Sequence, residues 1–254
     1  MSPAAASAAD APAPAAYVRT FNRFEFKYIL DHEAMHAFAG ELAGYTRRDP
    51  NDPEGQGYTV YSVYWDSPEL DFFWEKIDGQ KYRRKLRFRR YATGSDGFVE
   101  IKQRIDRTVQ KRRTRMPLEA IHALFGQGAI DSERESAVSD PVLSEALFLC
   151  RHHDLSPVNA VWYRRRALFG AHESDLRITF DTRLQYDPRA LDVRERSERG
   201  KTLLEPNLAI MEIKFNHRVP LWLTKLVSRH ELHLERYSKY CGAVDREVFG
   251  GRFT

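Results

Sequence analysis

Charged and apolar residues change places at period two along much of the chain, and this spacing predicts β-strands with two unlike faces. In TFNRFEFKYIL (20–30), Arg23, Glu25 and Lys27 alternate with Phe24, Phe26 and Tyr28. YTVYSVYWD (58–66) is aromatic and β-branched, the composition that suits a pleated surface. YRRKLRFRRY (82–91) and GFVEIKQRI (97–105) flank a Gly-Ser-Asp-Gly turn and read as a hairpin, with TVQKRRTRM (108–116) able to pair beside it. NAVWYRRRALF (159–169), LRITFDTRL (176–184) and LAIMEIKF (208–215) have the same character, so about eight strands are predicted.

Helical spacing lies between them. DHEAMHAFAGELAGY (31–45) opens on Asp31 as an N-cap, and SPELDFFWEKIDG (67–79) on Ser67 with Pro68 at the first helical position. MPLEAIHALFGQG (116–128), DPVLSEALFLCRHHD (140–154) and VPLWLTKLVSRHELHLERY (219–237) complete the predicted helices. Residues 187–207, rich in Arg, Glu and Pro, read as a mobile loop. No internal repeat is visible. The pattern is α+β, with a disordered Ala/Pro-rich tail at 1–18 and one domain over 19–254.

Residues two apart share a strand face, which sorts the charges. Arg23, Glu25 and Lys27 lie together, as do Lys85, Arg87 and Arg89, then Glu100 and Lys102, then Glu212 and Lys214. Phe24 and Phe26, Leu86 and Phe88, Val99 and Ile101, and Met211 and Ile213 take the opposite faces. An open sheet with one solvated face accounts for such alternation. It accounts less well for Glu-x-Lys recurring at Glu25/Lys27, Glu100/Lys102 and Glu212/Lys214. A closed antiparallel barrel would turn these faces into one lumen, with helices packed outside. Its Lys and Arg groups would bind a chain of phosphates, and its carboxylates would hold a divalent cation, Mg2+ or Mn2+.

Composition narrows the setting. The 254 residues suffice for a sizeable core, and 30% of them are charged. No run approaches the roughly 20 apolar residues of a membrane helix. The first residues, MSPAAASAADAPAPAA, lack the basic start and apolar centre of a secretion signal. Cys150 and Cys241 offer neither metal-ligand spacing nor a disulfide framework, so a reducing, cytoplasmic setting is expected. The net charge of +4 is uneven: Lys81 to Arg115 holds 14 Lys or Arg against 3 Asp or Glu, a balance of +11. Such a local excess predicts a polyanion site.

Other chemistry is weaker. Arg83, Arg84 and Arg90 read as solvated, being at the strand end or off the lumen face. Tyr163 reads as core or as ligand contact, Glu25 as an ion-pair partner or a metal ligand, and Asp181 as ion-paired or metal-directed. His152, His153, His230 and His233 lack the further ligands of a metal site and read as surface or helix-face residues. Arg-Gly-Lys-Thr (199–202) imitates the end of a phosphate-binding P-loop, but Glu195 stands where the first glycine belongs and no strand leads into it.

The succession RFEFKYIL, VYSVYWDSPEL, KLRFRRY, FVEIKQR, VQKRR, YRRRAL, RITFDT, MEIKF and YSKY resembles the VTC domain, the polyphosphate-polymerase branch of the CYTH-like triphosphate tunnel enzymes. The resemblance runs from about Phe21 to about Cys241. It implies an antiparallel tunnel of about eight strands and an enzyme that transfers the terminal phosphoryl group of ATP to a polyphosphate chain with a divalent metal. It also implies roles by motif: Lys27 in the first strand, Arg87 and Arg89 in the RxR strand, Lys102 in the ExK strand, and Tyr163 and Arg165 in the YxR strand. Ser238 and Lys239 match the pair after the last helix, and Glu212 matches the metal-binding glutamate; Glu25 and Glu100 are further metal-ligand candidates. Lys85, Lys111, Arg113 and Lys214 are further substrate-binding candidates.

Hydrolytic tunnel enzymes often begin Glu-x-Glu-x-Lys, whereas this chain has Arg23 in the first place, which favours anion binding over metal there. The resemblance therefore implies ATP and inorganic polyphosphate as partners, with a triphosphate hydrolase or a non-catalytic polyanion-binding module as alternatives. No transmembrane segment is expected, and membrane association through a partner stays open. Specific nucleic-acid binding is disfavoured because the cations alternate with apolar residues that the core would bury, leaving no exposed stacking aromatics among them.

Overall fold

A computed structural model of the chain describes residues 24–253 except 93, 107, 127–129, 131, 196 and 198. The tail at 1–18 and Arg23 lie outside the described residues. In chain order the elements are β1 (Phe24–Asp31), α1 (His32–Glu41), β2 (Thr46–Arg48), β3 (Tyr58–Asp66), α2 (Asp71–Ile77), β4 (Tyr82–Tyr91), β5 (Asp96–Ile105) and β6 (Thr108–Pro117). There follow α3 (Leu118–Phe125), α4 (Ser132–Ser136), α5 (Pro141–His152), β7 (Ser156–Gly170), β8 (Arg177–Asp187), β9 (Lys201–Thr202), β10 (Leu208–Phe215), α6 (Leu221–Arg229) and α7 (Lys239–Val244).

Eight long strands form one antiparallel sheet in the order β1-β10-β8-β7-β3-β4-β5-β6, with short β2 on β7 and short β9 on β8. The sheet is open, not the closed barrel expected from sequence: among the described residues β1 and β6 end the order and do not pair with each other. The free edge of β1 is already engaged, since the Lys27 carbonyl accepts from the Glu235 amide at 2.8 Å. A closing strand would need that carbonyl. Side chains reach across the gap, Glu25 meeting Lys102 at 3.5 Å.

The convex face is covered in two places. Leu86, Phe88, Val99 and Ile101 pack under α3 and α5, while Tyr28, Leu30, Met211, Ile213 and Ile178 pack under α1 and α6. Each such fully buried side chain contributes about 1.5–3 kcal/mol, so the apolar half of the alternation supplies much of the fold's stability. Not every helix lies outside as expected. The short α7 sits on the concave face, where Tyr240, Cys241, Ala243 and Val244 pack against Val60, Tyr64, Val161, Tyr163 and Ile210.

Asp66 ties this inner helix to α2. Fully buried, it accepts from the amides of Ser67, Phe72 and Phe73 at 2.8, 2.9 and 3.0 Å and from the Tyr240 hydroxyl. Burial raises its pKa while those four donors oppose the rise. The predicted Ser67 N-cap is thus displaced: α2 starts at Asp71, whose amide bonds Ser67 Oγ at 3.0 Å. Asp31 caps α1 as expected, accepting from Ala34, and Asp140 caps α5, accepting from Val142 and Leu143.

Two further expectations change. The helix predicted over 219–237 stops at Arg229, with Glu231 at a φ of 51°. The residues after it run along the β1 edge and deliver Ser238 and Lys239 to the concave face, a path a continued helix could not follow. The described residues of 187–207 include a packed part, with Ala190, Val193, Leu203 and Leu204 buried and Lys201–Thr202 paired to β8. A Cβ at Gly200 would stand 2.2 Å from the Trp162 ring, so this glycine serves close packing, not a phosphate loop.

Candidate functional site

The pleat turns one residue in two toward the concave face, and strand register then decides which of them meet. Lys27 lies opposite Glu212, and Glu25 opposite Lys214. Arg87 lies opposite Glu100, which lies opposite Arg113, and Arg165 lies opposite Asp181. Two charge clusters result.

The first centres on Glu212 and Asp181. The Arg165 guanidinium holds Asp181 through Nε at 2.6 Å and Nη2 at 2.7 Å, and reaches Glu212 at 3.1 Å. Lys239 bridges the same two carboxylates at 2.6 and 3.0 Å. Lys214 pairs with Glu212, and Lys27 lies 3.8 Å from it and 3.2 Å from Glu25. Burial alone would raise the Glu212 pKa, but Lys214, Lys239, Arg165 and Lys27 hold it well below the usual carboxylate range. Asp181 is lowered in the same way, by Arg165 and Lys239 against burial. The Tyr163 ring lies 5.1 Å from the Arg165 guanidinium and 4.6 Å from the Lys239 ammonium, so this core residue also touches the cluster.

The second centres on Glu100, only 1% exposed, which pairs with Lys111 at 2.6 Å and Arg87 at 2.7 Å and lies 3.7 Å from Arg89. Burial would raise its pKa, but Arg89, Arg87 and Lys111 hold it well below the usual range. The Tyr64 hydroxyl accepts from Arg87 at 3.2 Å and the Ser62 hydroxyl from Arg89 at 3.2 Å. Lys85 donates to Ser238 Oγ at 2.7 Å, and Arg113 lies over the Phe98 ring.

Cations outnumber carboxylates on this face, and some confront each other directly. Lys85 faces Lys102, Lys102 faces Lys111, and Arg83 faces Arg104 across the ladder. Like charges placed so are destabilising in themselves. Burial and nearby guanidiniums also act on the lysines: burial, with Arg165, lowers Lys214 to about 8 against the pull of Glu212 and Glu25, and burial, with Arg87 and Arg89, lowers Lys111 to about 7 against Glu100. An anion entering this face relieves the strain and draws protons onto these amines. Lys214 is the better buried, its side chain 17% exposed. Binding of tripolyphosphate is therefore expected to take up protons and to weaken by up to about tenfold per pH unit above pH 8. Calorimetry in buffers of different ionisation enthalpy measures the uptake, and Lys214→Met should flatten the profile. Affinity that rises with pH there would contradict this.

The three carboxylates proposed as metal ligands do not come together. Glu25 and Glu212 share Lys27, whereas Glu100 belongs to the other cluster. Among the described residues no group of three or more His, Cys, Asp or Glu is placed to hold a metal. The oxygen-only pair Glu25 and Glu212 fits a hard cation that keeps water and takes its other ligands from phosphate, as Mg2+ does, and such a cation would take the place of ammonium groups, Lys27, Lys102 and Lys214, that these carboxylates now hold.

Other residues differ from their sequence reading. Arg90 is buried, stacked over Tyr61 and donating to the Glu195 carbonyl at 2.6 Å, so it is not solvated. Arg84 is half-buried over the Tyr82 ring. Arg83, like Arg104, shares the concave face, as counting by twos from Lys85 and Lys102 would have revealed. His230 bonds Glu41 at 2.7 Å beside Phe38. Tyr64 and Ser62 were missed because β3 is rich in aromatics on both faces, and only its register against β4 shows which reach Arg87 and Arg89.

The VTC domain profile matches residues 22–247. Among solved structures, a Hippeastrum protein named as an adenylyl cyclase and described as having a dominant triphosphatase activity superposes with a TM-score of 0.52 at 10% identity, over 88% of this chain and 94% of that one. A Vibrio parahaemolyticus protein named as an adenylate cyclase aligns with a TM-score of 0.46 at 10% identity, over 89% and 99%. The Mimivirus capping-enzyme triphosphatase aligns at 0.36 and 10% identity, over 83% and 89%. No curated protein matches the sequence. Among the described residues no helix is long and apolar enough to cross a membrane.

Proposed function

The chain belongs to the VTC domain family, in the CYTH-like triphosphate tunnel superfamily, and from that premise we propose that it is an ATP-dependent polyphosphate polymerase. One observation carries the reading: the cations of the concave face exceed its carboxylates and stand in opposed like-charge pairs, an arrangement that a chain of phosphates neutralises. A terminal phosphate oxygen of the growing chain attacks the γ-phosphorus of ATP, the new P–O bond forms as the Pγ–O bond to the β-phosphate breaks, and ADP departs. No Ser, Cys or His nucleophile is needed, because phosphoryl transfer is governed by positioning and charge neutralisation.

Arg87 and Arg89 present guanidinium forks to the transferring phosphoryl oxygens, oriented by Glu100, Tyr64 and Ser62. Lys85, Lys102, Lys111 and Arg113 line the path of the chain, with Lys27, Lys214 and Lys239 on the opposite wall. Arg165 holds the carboxylates that keep Lys239 charged. Glu25 and Glu212 would hold Mg2+ or Mn2+, which when bound to the phosphates supplies further charge neutralisation.

Incubation of the purified protein with ATP and Mn2+ is expected to yield ADP and a ladder of long chains, and Arg87→Ala should slow this about 10²–10³-fold. Free phosphate without chains would favour a triphosphate hydrolase, and no turnover a binding module. Chain synthesis undiminished in Arg87→Ala would overturn the assignment of this face.

A further inference from the structure

We propose that the chain carries a second anion site, on the convex face and apart from the concave one, in which Arg166 and Arg48 hold the phosphate group of a small ligand. Arg166 follows Arg165 in β7 and so points to the opposite side of the sheet. Two cavities of about 150 and 270 Å³ meet there, sharing Arg166 and Gly55. The Arg166 guanidinium rests over the Phe180 ring, 5.7 Å from its centroid, and among the described residues it has no hydrogen-bond or ion-pair partner.

The surroundings make this cation available to an anion. Arg48 lines the larger cavity with Arg166, and Arg164 the smaller; the one carboxylate in their walls, Glu54, lies in the larger and accepts from the Gln56 side-chain amide at 2.9 Å. In the larger cavity two guanidiniums therefore face a single carboxylate engaged by a neutral partner, and in the smaller two guanidiniums face none. The loop above them is held firmly. Arg48 donates to the Pro53 carbonyl at 2.9 Å, Arg164 donates twice to the Gln56 carbonyl at 2.9 and 2.6 Å, and the Gly57 amide donates to Asp52 at 2.8 Å.

Glycine is required at two points of that loop. Gly55 and Gly57 have φ values of 71° and 80°, and a Cβ at Gly57 would stand 2.8 Å from the Arg165 carbonyl. The loop is thus seated on the strand, leaving the cavities between it and α1. Forked guanidiniums match the oxygens of phosphate, and two or more of them favour its higher charge over a carboxylate. Met35, Ala39 and Leu168 supply apolar wall, so the phosphate can be free or borne by a small organic group.

The inference does not rest on the polymerase reading, and its test reads no turnover. Orthophosphate and butyl phosphate are titrated separately into the ¹⁵N-labelled full chain, with the backbone amides of Gly55, Gln56 and Gly57 as reporters and those of Glu100 and Lys102 reporting the concave face. Saturable shifts at 55–57 are expected, and Arg166→Gln should weaken them about tenfold or more while the shifts at Glu100 and Lys102 persist. Response to both probes identifies free phosphate as sufficient, and response to butyl phosphate alone identifies a phosphomonoester. No shift at 55–57 with either probe, or shifts unaltered in a folded Arg166→Gln protein, would overturn the site.

Discussion

Replacing Arg165 by Met is expected to lower the unfolding free energy by about 3 kcal/mol and, on the proposed polymerase reading, to abolish chain synthesis. Asp181 is fully buried and Glu212 only 5% exposed, and Arg165 contributes three of the hydrogen bonds that keep both ionised. Its removal leaves Asp181 to Lys239 alone and takes one of four cations from Glu212. The figure sits at the low end of the range for a broken buried pair because Lys239 remains. Urea denaturation measures it. The double variant Arg165→Met/Asp181→Leu should recover most of the stability, since apolar residues of similar volume replace a buried pair well, yet it should stay inactive. A single variant as stable as the parent would show that the Arg165–Asp181 pair does not support the fold.

Glu100→Gln separates stability from ligand affinity in the opposite sense. The variant leaves Arg87, Arg89 and Lys111 crowded without their shared carboxylate, and about 2–3 kcal/mol of stability should be lost in the absence of phosphate. Tripolyphosphate supplies the missing negative charge, so it should raise the melting temperature of the variant more than that of the parent. An equal or smaller rise in the variant would mean that the ligand does not reach this cluster. The pH dependence has a fixed sign. Glu100 is held below its ordinary value of 4.5 by its cations, so its contribution is complete above that value and disappears as the pH falls through its lower folded value. The variant should accordingly show a shallower loss of stability in acid.

These two substitutions illustrate how differently the site was legible. Glu100 and Arg87 could be assigned to one face from period two alone, and the motif resemblance joined them to phosphate chemistry. That Arg165 spends its donors on Asp181 and Glu212 could not be read, because it depends on the pairing of β7 with β8 and the approach of Lys239 from a helix far along the chain. Arg90 failed as a solvated residue for a related reason. Its face was assigned correctly as outward, but Tyr61 and the Glu195 carbonyl cover it there.

The alternation of charge and hydrocarbon by itself determined the eight long strands, their two faces and most of the residues that crowd the concave side, because side-chain direction in a strand follows from backbone geometry alone. Helix limits set by a local cap, as at Asp31 and Asp140, were likewise local matters. Only the tertiary structure decided that the sheet stays open, that the last predicted helix ends at Arg229, and that α7 turns inward. Each depends on contacts between residues distant in sequence: the Lys27 carbonyl with the Glu235 amide, Lys239 with Asp181, and Tyr240 with Asp66. A buried carboxylate or a strand-edge carbonyl must find a partner, and the periodicity of a sequence does not say which one.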